Sequence, residues 1–330
     1  MANISDVVRL SGVSKSTVSR VINNFPHVSE EKKARVLKAI QELNYMPNPS
    51  ARKLRGQVTT TIGVIVPRIV NPFFSYLVDA IEKAAYHHGY QTLICQSNED
   101  KEKELAFLRL LKTRQIDGVI MTSIENDWEI IEPLNELGPI VLCNEYLTKA
   151  NVSTVRLDQF RGAYLGVQHL IERGHRKIAY CTGGLFSEFG KDADRNRGYQ
   201  KALKEAGIPI NPSWILVNQH SIEDGKNAME IILSMQDRPT AVFTGSDEIA
   251  SGLMVSAKSH GLKIPDDLAI IGFDDQPIAE LLDPPLTTIR QPIQQMGEMA
   301  IEVLLKHLND PERSVNTVEL PIELIVRGTT

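Results

Sequence analysis

Beyond residue 58 the chain alternates short unbroken apolar runs with longer stretches in which apolar residues recur every three or four positions. The runs at 60–66, 92–95, 119–122, 140–143, 154–157, 177–182, 241–244 and 268–273 have the length and apolar continuity of strands buried on both faces. Between them, 73–88, 102–114 and 159–173 have helical period, the first stopped by Gly89 and the last by Gly174. Strands alternating with helices form parallel sheets covered on both sides. More than 270 residues of this pattern exceed one comfortable sheet. The pattern therefore predicts an α/β core of two doubly wound parallel-sheet subdomains. Ligands of such sheets sit beyond the carboxyl ends of the strands, here in the cleft between subdomains.

The first 46 residues read differently. Asn3 can cap a helix over 4–10, with Asp6 in its first turn, and Gly12 supplies a left-handed stop. Ser14 then caps a second helix almost at once. In that helix Val18, Val21 and Ile22 share one face and can bury it, whereas Lys15, Ser16 and Arg20 point away. Two short helices joined by a Gly-containing turn make a helix-turn-helix. Its outward donors Lys15, Ser16 and Arg20 suit base edges in a major groove, and the shorter Thr17, Ser19 and Asn23 suit phosphates. After the loop Phe25-Pro26-His27, Ser29 can cap a third helix to about residue 44. Val36, Leu37, Ile40 and Leu43 would form its inner face.

Residues 47–56 follow as a short basic segment. Asn48 and Pro49 have the pattern of an N-cap followed by proline at the first helical position, and Arg52, Lys53 and Arg55 surround one leucine, Leu54. A helix of barely two turns is unstable alone in water. Bound in a minor groove, Leu54 could wedge open a base step; the bland alternative is an interdomain linker. Charge separates the parts. The 330-residue chain has a net charge of −5, yet residues 1–60 hold 10 Lys and Arg against 4 Asp and Glu. The remainder holds 26 against 37, so a basic head precedes an acidic body.

Polar residues collect after the core strands: Asn71-Pro72-Phe73-Phe74, Asn144 with Glu145, Asp158, Ser246-Asp247 and Asp274-Asp275, with Arg195 at a helix start. An arginine, carboxylates, amides and aromatic rings together describe a polyol pocket. Each residue of this kind also has a plain use as a helix N-cap; that reading is preferred for Asp247, and the pocket for Arg195 and Asp274. Cys95, Cys143 and Cys181 are far apart in apolar runs and read as buried thiols. Gly184-Leu185-Phe186-Ser187-Glu188-Phe189-Gly190-Lys191 follows a strand, but it has five residues between its glycines and Asp192 where a P-loop needs Ser or Thr. No nucleophile–base pair or metal-ligand spacing emerges, so neither an enzyme nor a cofactor is expected. With no signal peptide and no membrane-length apolar run, a cytoplasmic protein is expected.

Ile4-Ser5-Asp6-Val7-Val8, Gly12-Val13-Ser14, Ser16-Thr17-Val18-Ser19-Arg20-Val21-Ile22-Asn23 and Pro47-Asn48-Pro49-Ser50-Ala51-Arg52-Lys53-Leu54 together resemble the headpiece and hinge of the lactose-repressor/galactose-repressor family of bacterial transcription regulators. The core motifs Asn71-Pro72-Phe73-Phe74, Gly174-His175-Arg176-Lys177-Ile178-Ala179 and Pro285-Leu286-Thr287-Thr288-Ile289-Arg290-Gln291-Pro292 extend the resemblance over the whole chain. The resemblance implies a DNA-binding headpiece at 1–46, a hinge at 47–58 and an effector-binding, dimerising core at 59–330. The core would divide into 59–158 with 290–318, and 159–289 with 319–330, and its fold would be like that of periplasmic sugar-binding proteins. Lys15, Ser16 and Arg20 would read bases, with Thr17, Ser19, Asn23, Ala51 and the intercalating Leu54 as further DNA contacts. The effector would touch Phe73, Phe74, Asn144, Asp158, Arg195, Ser246 and Asp274. His220 stands where members commonly carry an aromatic ring that stacks on the ligand, a departure from the family's pattern.

The function implied is repression of a carbohydrate-use operon by a cytoplasmic homodimer, associated with the nucleoid, on a near-palindromic operator. A sugar or sugar phosphate would exert allosteric control. The alternative implied is control by a phosphorylated phosphocarrier protein acting as corepressor.

Overall fold

The computed structural model describes residues 2–22, 25–45, 59–147, 150–184, 191–310, 312 and 314–330. The expected hinge at 47–58, with Ala51 and Leu54, lies outside them, as does Asn23. Two compact units emerge, Met1–Thr59 and Thr60–Thr330.

The first unit contains helices α1 (Ile4–Ser11), α2 (Lys15–Ile22) and α3 (Glu30–Glu42). Asn3 and Asp6 close a reciprocal capping box. The Asn3 side chain accepts from the Ser5 and Asp6 amides, and Asp6 accepts from the Asn3 amide at 2.9 Å. Gly12 ends α1 at φ 63°, a left-handed geometry that glycine adopts freely. Val7, Val18, Val21, Val36 and Ala39 are buried together, which joins the three helices in one small core. Two expectations need correction here. Ser29 makes no side-chain cap to α3, and Leu37 faces solvent instead of the core.

The second unit is built on two sheets. The first holds β1 (Thr61–Val66), β2 (Gln91–Gln96), β3 (Gly118–Met121), β4 (Ile140–Cys143), β5 (Ser153–Leu157) and β11 (Thr317–Leu320), in the order β11-β5-β4-β3-β1-β2. Its strands are all parallel. The second holds β6 (Ile178–Cys181), β7 (Ile215–Leu216), β8 (Ala241–Thr244), β9 (Ala269–Asp274), β10 (Thr287–Arg290) and β12 (Glu323–Ile325), in the order β12-β10-β9-β8-β6-β7. It is parallel except where β12 runs against β10. Helices α4 (Pro72–His87), α5 (Lys101–Lys112), α6 (Trp128–Asn135) and α12 (Ile293–Asn309) pack with the first sheet. The second is accompanied by α7 (Gln159–Glu172), α8 (Lys191–Glu205), α9 (Ile222–Ser234), α10 (Asp247–Ser259) and the short α11 (Ile278–Leu281). The expected α/β class and its two sheets are both present.

The chain crosses between the two lobes three times: after β5, after β10 and after β11. The third crossing follows Leu320, two residues beyond the boundary expected at 318, because β11 runs to that residue. The first lobe buries Met296, Ala300, Ile301 and Leu304 of α12 against Leu77 and Ile81 of α4. All three cysteines are buried free thiols on strands. Trp128 and Trp214 are packed inside, and His87 and His88 lie exposed at the end of α4.

Helices α9 and α10 meet through glycine. A Cβ on Gly252 would stand 2.0 Å from the Ile222 carbonyl oxygen, and one on Gly225 would stand 2.2 Å from the Ile249 carbonyl oxygen. Backbone cannot yield as a flexible side chain would, so this contact tolerates no methyl group. Gly252→Ala is expected to lower stability by about 1–3 kcal/mol, the usual cost of overpacking. Urea unfolding of the full chain is the measurement; an unchanged midpoint would refute the close approach.

Candidate functional site

Two surfaces carry the residues singled out from the sequence. On the first unit, α2 begins at Ser14, whose Oγ accepts from the Thr17 amide at 3.3 Å and lies 2.9 Å from the hydroxyls of Ser16 and Thr17. The cap fixes the first turn of a helix too short to hold itself. Burial of Val18 and Val21 then sets the rotation of the helix, leaving Lys15, Ser16 and Arg20 exposed on its outer side and Thr17 and Ser19 half-buried. A row of donors on a short, fixed helix is what reading a major groove requires.

On the second unit, a cleft of about 600 Å³ opens where the carboxyl ends of the two sheets face each other. Seven of the eight residues expected to contact a ligand line it: Phe73, Phe74, Asn144, Arg195, His220, Ser246 and Asp274. Asp158 is not among the residues that line it. Its carboxylate caps α7, accepting from the Arg161 amide at 2.8 Å, so it serves the helix start in the manner ordinary for Asp after a strand.

The first lobe contributes rings and amides. Asn71 caps α4 by accepting from the Phe73 amide, with Pro72 preset for the first turn. That start delivers Phe73 and Phe74 into the cleft edge to face, centroids 5.2 Å apart. Asn144 follows β4 at φ 76° and is 3% exposed; its Oδ1 has no hydrogen-bond partner among the described residues.

The second lobe contributes charge. Arg195 is 7% exposed. Its Nε donates to Gln159 at 2.7 Å and its Nη1 to the Gly245 carbonyl at 3.0 Å, while the guanidinium lies 3.6 Å over the Phe273 ring. Asp274 closes β9 at φ 110° and accepts from Gln276 at 3.1 Å and Gln291 at 2.5 Å. Ser246 caps α10 through the Ile249 amide. Asp247, expected as a cap, is instead a buried carboxylate that accepts from the Gln276 amide at 2.7 Å and the Thr288 hydroxyl at 2.5 Å. Burial, and then Arg68, hold His220 below the usual imidazole range, so the ring is neutral at pH 7.

The sequence reading missed Arg68, Glu99, Ser123, Glu125, Asp192 and Gln291, which also line the cleft. Most follow strands of the same two sheets, so applying the carboxyl-end rule to every βα junction would have found them. Of the P-loop-like stretch, Gly184 lines the cleft, whereas 185–190 lie outside the described residues. Among the described residues no group of three or more His, Cys, Asp or Glu could hold a metal ion, and no helix is long and apolar enough to cross a membrane.

Comparison with known proteins finds relatives for both parts of the chain. Residues 3–48 match the family described as bacterial regulatory proteins, lacI family, and residues 167–330 match the periplasmic binding protein-like domain. The NTD biosynthesis operon regulator NtdR of Bacillus subtilis (strain 168) is 41% identical over 100% of both chains. Catabolite control protein A of Priestia megaterium is 36% identical over 99% of this chain and 98% of its own. Among solved structures, the lac repressor dimer bound to operator and the anti-inducer ONPF superposes with a TM-score of 0.88 at 27% identity, covering 99% of this chain and 98% of that one.

The buried carboxyls Asp247 and Asp274 give a pH prediction. Burial raises both; the Asp274 charge raises Asp247 further, whereas Arg195 restrains Asp274, which ends at about 7. Thr288, Gln276, Gln291, Glu248 and Asp275 complete the charged and polar surroundings of the pair. The folded carboxyls keep protons that the unfolded chain, near its ordinary 3.8, has lost. Stability from this source is therefore present below about pH 4 and drains away as pH rises through about 7. Asp274→Asn should flatten the fall between about pH 4 and about pH 7, while leaving the buried Arg195 without its counter-charge and so lowering Tm overall. Differential scanning fluorimetry reads it; parallel pH profiles would refute the assignment.

Proposed function

Because the chain belongs to the lacI family of bacterial regulatory proteins, we propose that it represses transcription by binding an operator through α2 and releases or grips that operator according to what fills the core cleft. The observation that carries the reading is the row Lys15, Ser16 and Arg20, exposed on a helix whose cap and buried valines fix its orientation. Identity of 41% with a biosynthesis-operon regulator across the full chain supports it. Hydrogen-bonding groups over a floor of two phenylalanines support a small polyhydroxylated effector, with Phe73, Phe74, Asn144, Arg195, His220, Ser246 and Asp274 as its contacts.

The protein works as a homodimer on a near-palindromic operator, so that two headpieces meet two half-sites. Exposed apolar side chains on the core, Tyr76, Leu93 and Ile94 on one lobe and Ile222, Val255 and Leu281 on the other, support self-association. Acting on DNA, it acts in the cytoplasm, at the nucleoid. A bound effector shifts operator affinity only by the difference between its affinities for the two core states. A second reading, a phosphorylated phosphocarrier protein docking on the core as corepressor, draws on the 36% identity with a catabolite control protein.

Fluorescence anisotropy on DNA from the protein's own promoter region, at fixed salt, tests these assignments. Arg20→Ala should lose about 1–3 kcal/mol of discrimination between operator and mismatched sites. Wild-type discrimination in that variant would remove α2 from base reading. Arg195→Ala should lose the response to the effector and keep operator binding; an unchanged response would take Arg195 out of the site. Tight, specific binding that no small molecule alters, but that a phosphorylated phosphocarrier protein strengthens, would favour the second reading.

A further inference from the structure

The charge of the cleft narrows the chemistry of its ligand. Five of its described lining residues carry carboxylates: Glu99, Glu125, Glu145, Asp192 and Asp274. Two carry guanidinium groups, Arg68 and Arg195. Both cations already have work within the protein. Arg68 pairs with Glu99 at 3.1 Å, and Arg195 bonds to Gln159 and the Gly245 carbonyl and lies on the Phe273 ring. His220, neutral at pH 7, adds no positive charge. With Asp274 only partly ionised at pH 7, the described cleft walls hold two to three more negative than positive side chains, and such an excess repels anions and attracts cations.

A second observation concerns hydrogen bonding. Asn144 Oδ1 and Ser123 Oγ belong to residues that line the cleft, are buried, and have no hydrogen-bond partner among the described residues. Their side chains are 3% and 7% exposed. Such groups cost stability until something bonds to them. Asn144 Oδ1 can only accept, so the missing partner is an N–H or O–H donor. Beside them the Phe73 and Phe74 rings offer aromatic surface, to which both C–H faces and cations are drawn.

We propose that the effector is an amino sugar, a polyhydroxylated ring bearing at least one ammonium group, and that phosphorylated sugars are excluded. The inference rests on the reading of the cleft as the effector site. The ammonium group supplies positive charge and several N–H donors to a site that holds excess carboxylates and unsatisfied acceptors. A phosphate would bring about two further negative charges into the same walls.

The test is isothermal titration calorimetry of the full-length protein with 2-, 3- and 6-amino-deoxyglucose, glucose and glucose 6-phosphate, at one pH and salt. Operator anisotropy is followed in the same buffer. At least one amine should bind about tenfold or more tightly than glucose, with glucose 6-phosphate no better than glucose. Asp192→Asn and Glu145→Gln should each narrow the gap between amine and glucose. If glucose or its phosphate binds as tightly as every amine, or if no amine binds, the inference is overturned, while specific operator binding in those samples keeps the regulator reading intact. Loss of both ligand and operator binding by the folded wild-type chain would overturn both.

Discussion

Arg195 is a cation held almost out of water, and the cleft is arranged around satisfying it. A buried guanidinium is tolerated only where its N–H groups have acceptors and its charge is answered nearby. Gln159 and the Gly245 carbonyl take two donors, the Phe273 ring lies against its face, and Asp274 supplies opposite charge. The two glutamines extend this arrangement. Gln159 begins the helix that follows the first passage between lobes, and Gln291 stands at the second. Gln159 donates to Gln291 at 3.5 Å, and Gln291 donates to Asp274. A ligand that bonds to Arg195 or Asp274 competes for the same lone pairs and protons that hold the two crossings. Occupancy of the cleft and the relation between its lobes are thereby parts of one hydrogen-bond network.

The two units meet opposite physical demands. The first is basic and small, with a core of five fully buried aliphatic residues, Val7, Val18, Val21, Val36 and Ala39, enough to orient a helix face. The second is acidic, and its sheets are covered by helices, which leaves the strand ends as the place where polar chemistry gathers. The division of charge seen along the sequence is thus a division of ligands: a polyanion for one unit, and a small molecule for the other.

Much of this was legible beforehand because it is local. Strands β4 and β8 lie where unbroken apolar runs put them, at 140–143 and 241–244, and Gly12, Gly89 and Gly174 stop helices by adopting positive φ. What escaped was set by competing partners, some of them distant. Asp247 reads as a cap in its own neighbourhood, and only the arrival of Thr288 and the Gln276 amide makes it a buried acceptor. Asp158 reads as a ligand contact, and the nearer claim of the Arg161 amide takes it. Arg68 and Asp192 gain meaning only when two sheets, far apart in sequence, face each other across one space.

The three passages between lobes also govern how the chain matures. The first sheet needs β11, and its core needs α12, yet both lie at 293–320, after every parallel strand of the second sheet has been made. On the ribosome, where chains emerge amino end first at about 5–20 residues per second, the lobe begun first cannot be finished first. Strands β1 to β5 must wait without α12 and with the β5 edge open while β6 to β10 of the second sheet are synthesised between them and their missing parts. Truncation before residue 320 therefore spares neither lobe: it leaves the first without its edge strand and the second without β12.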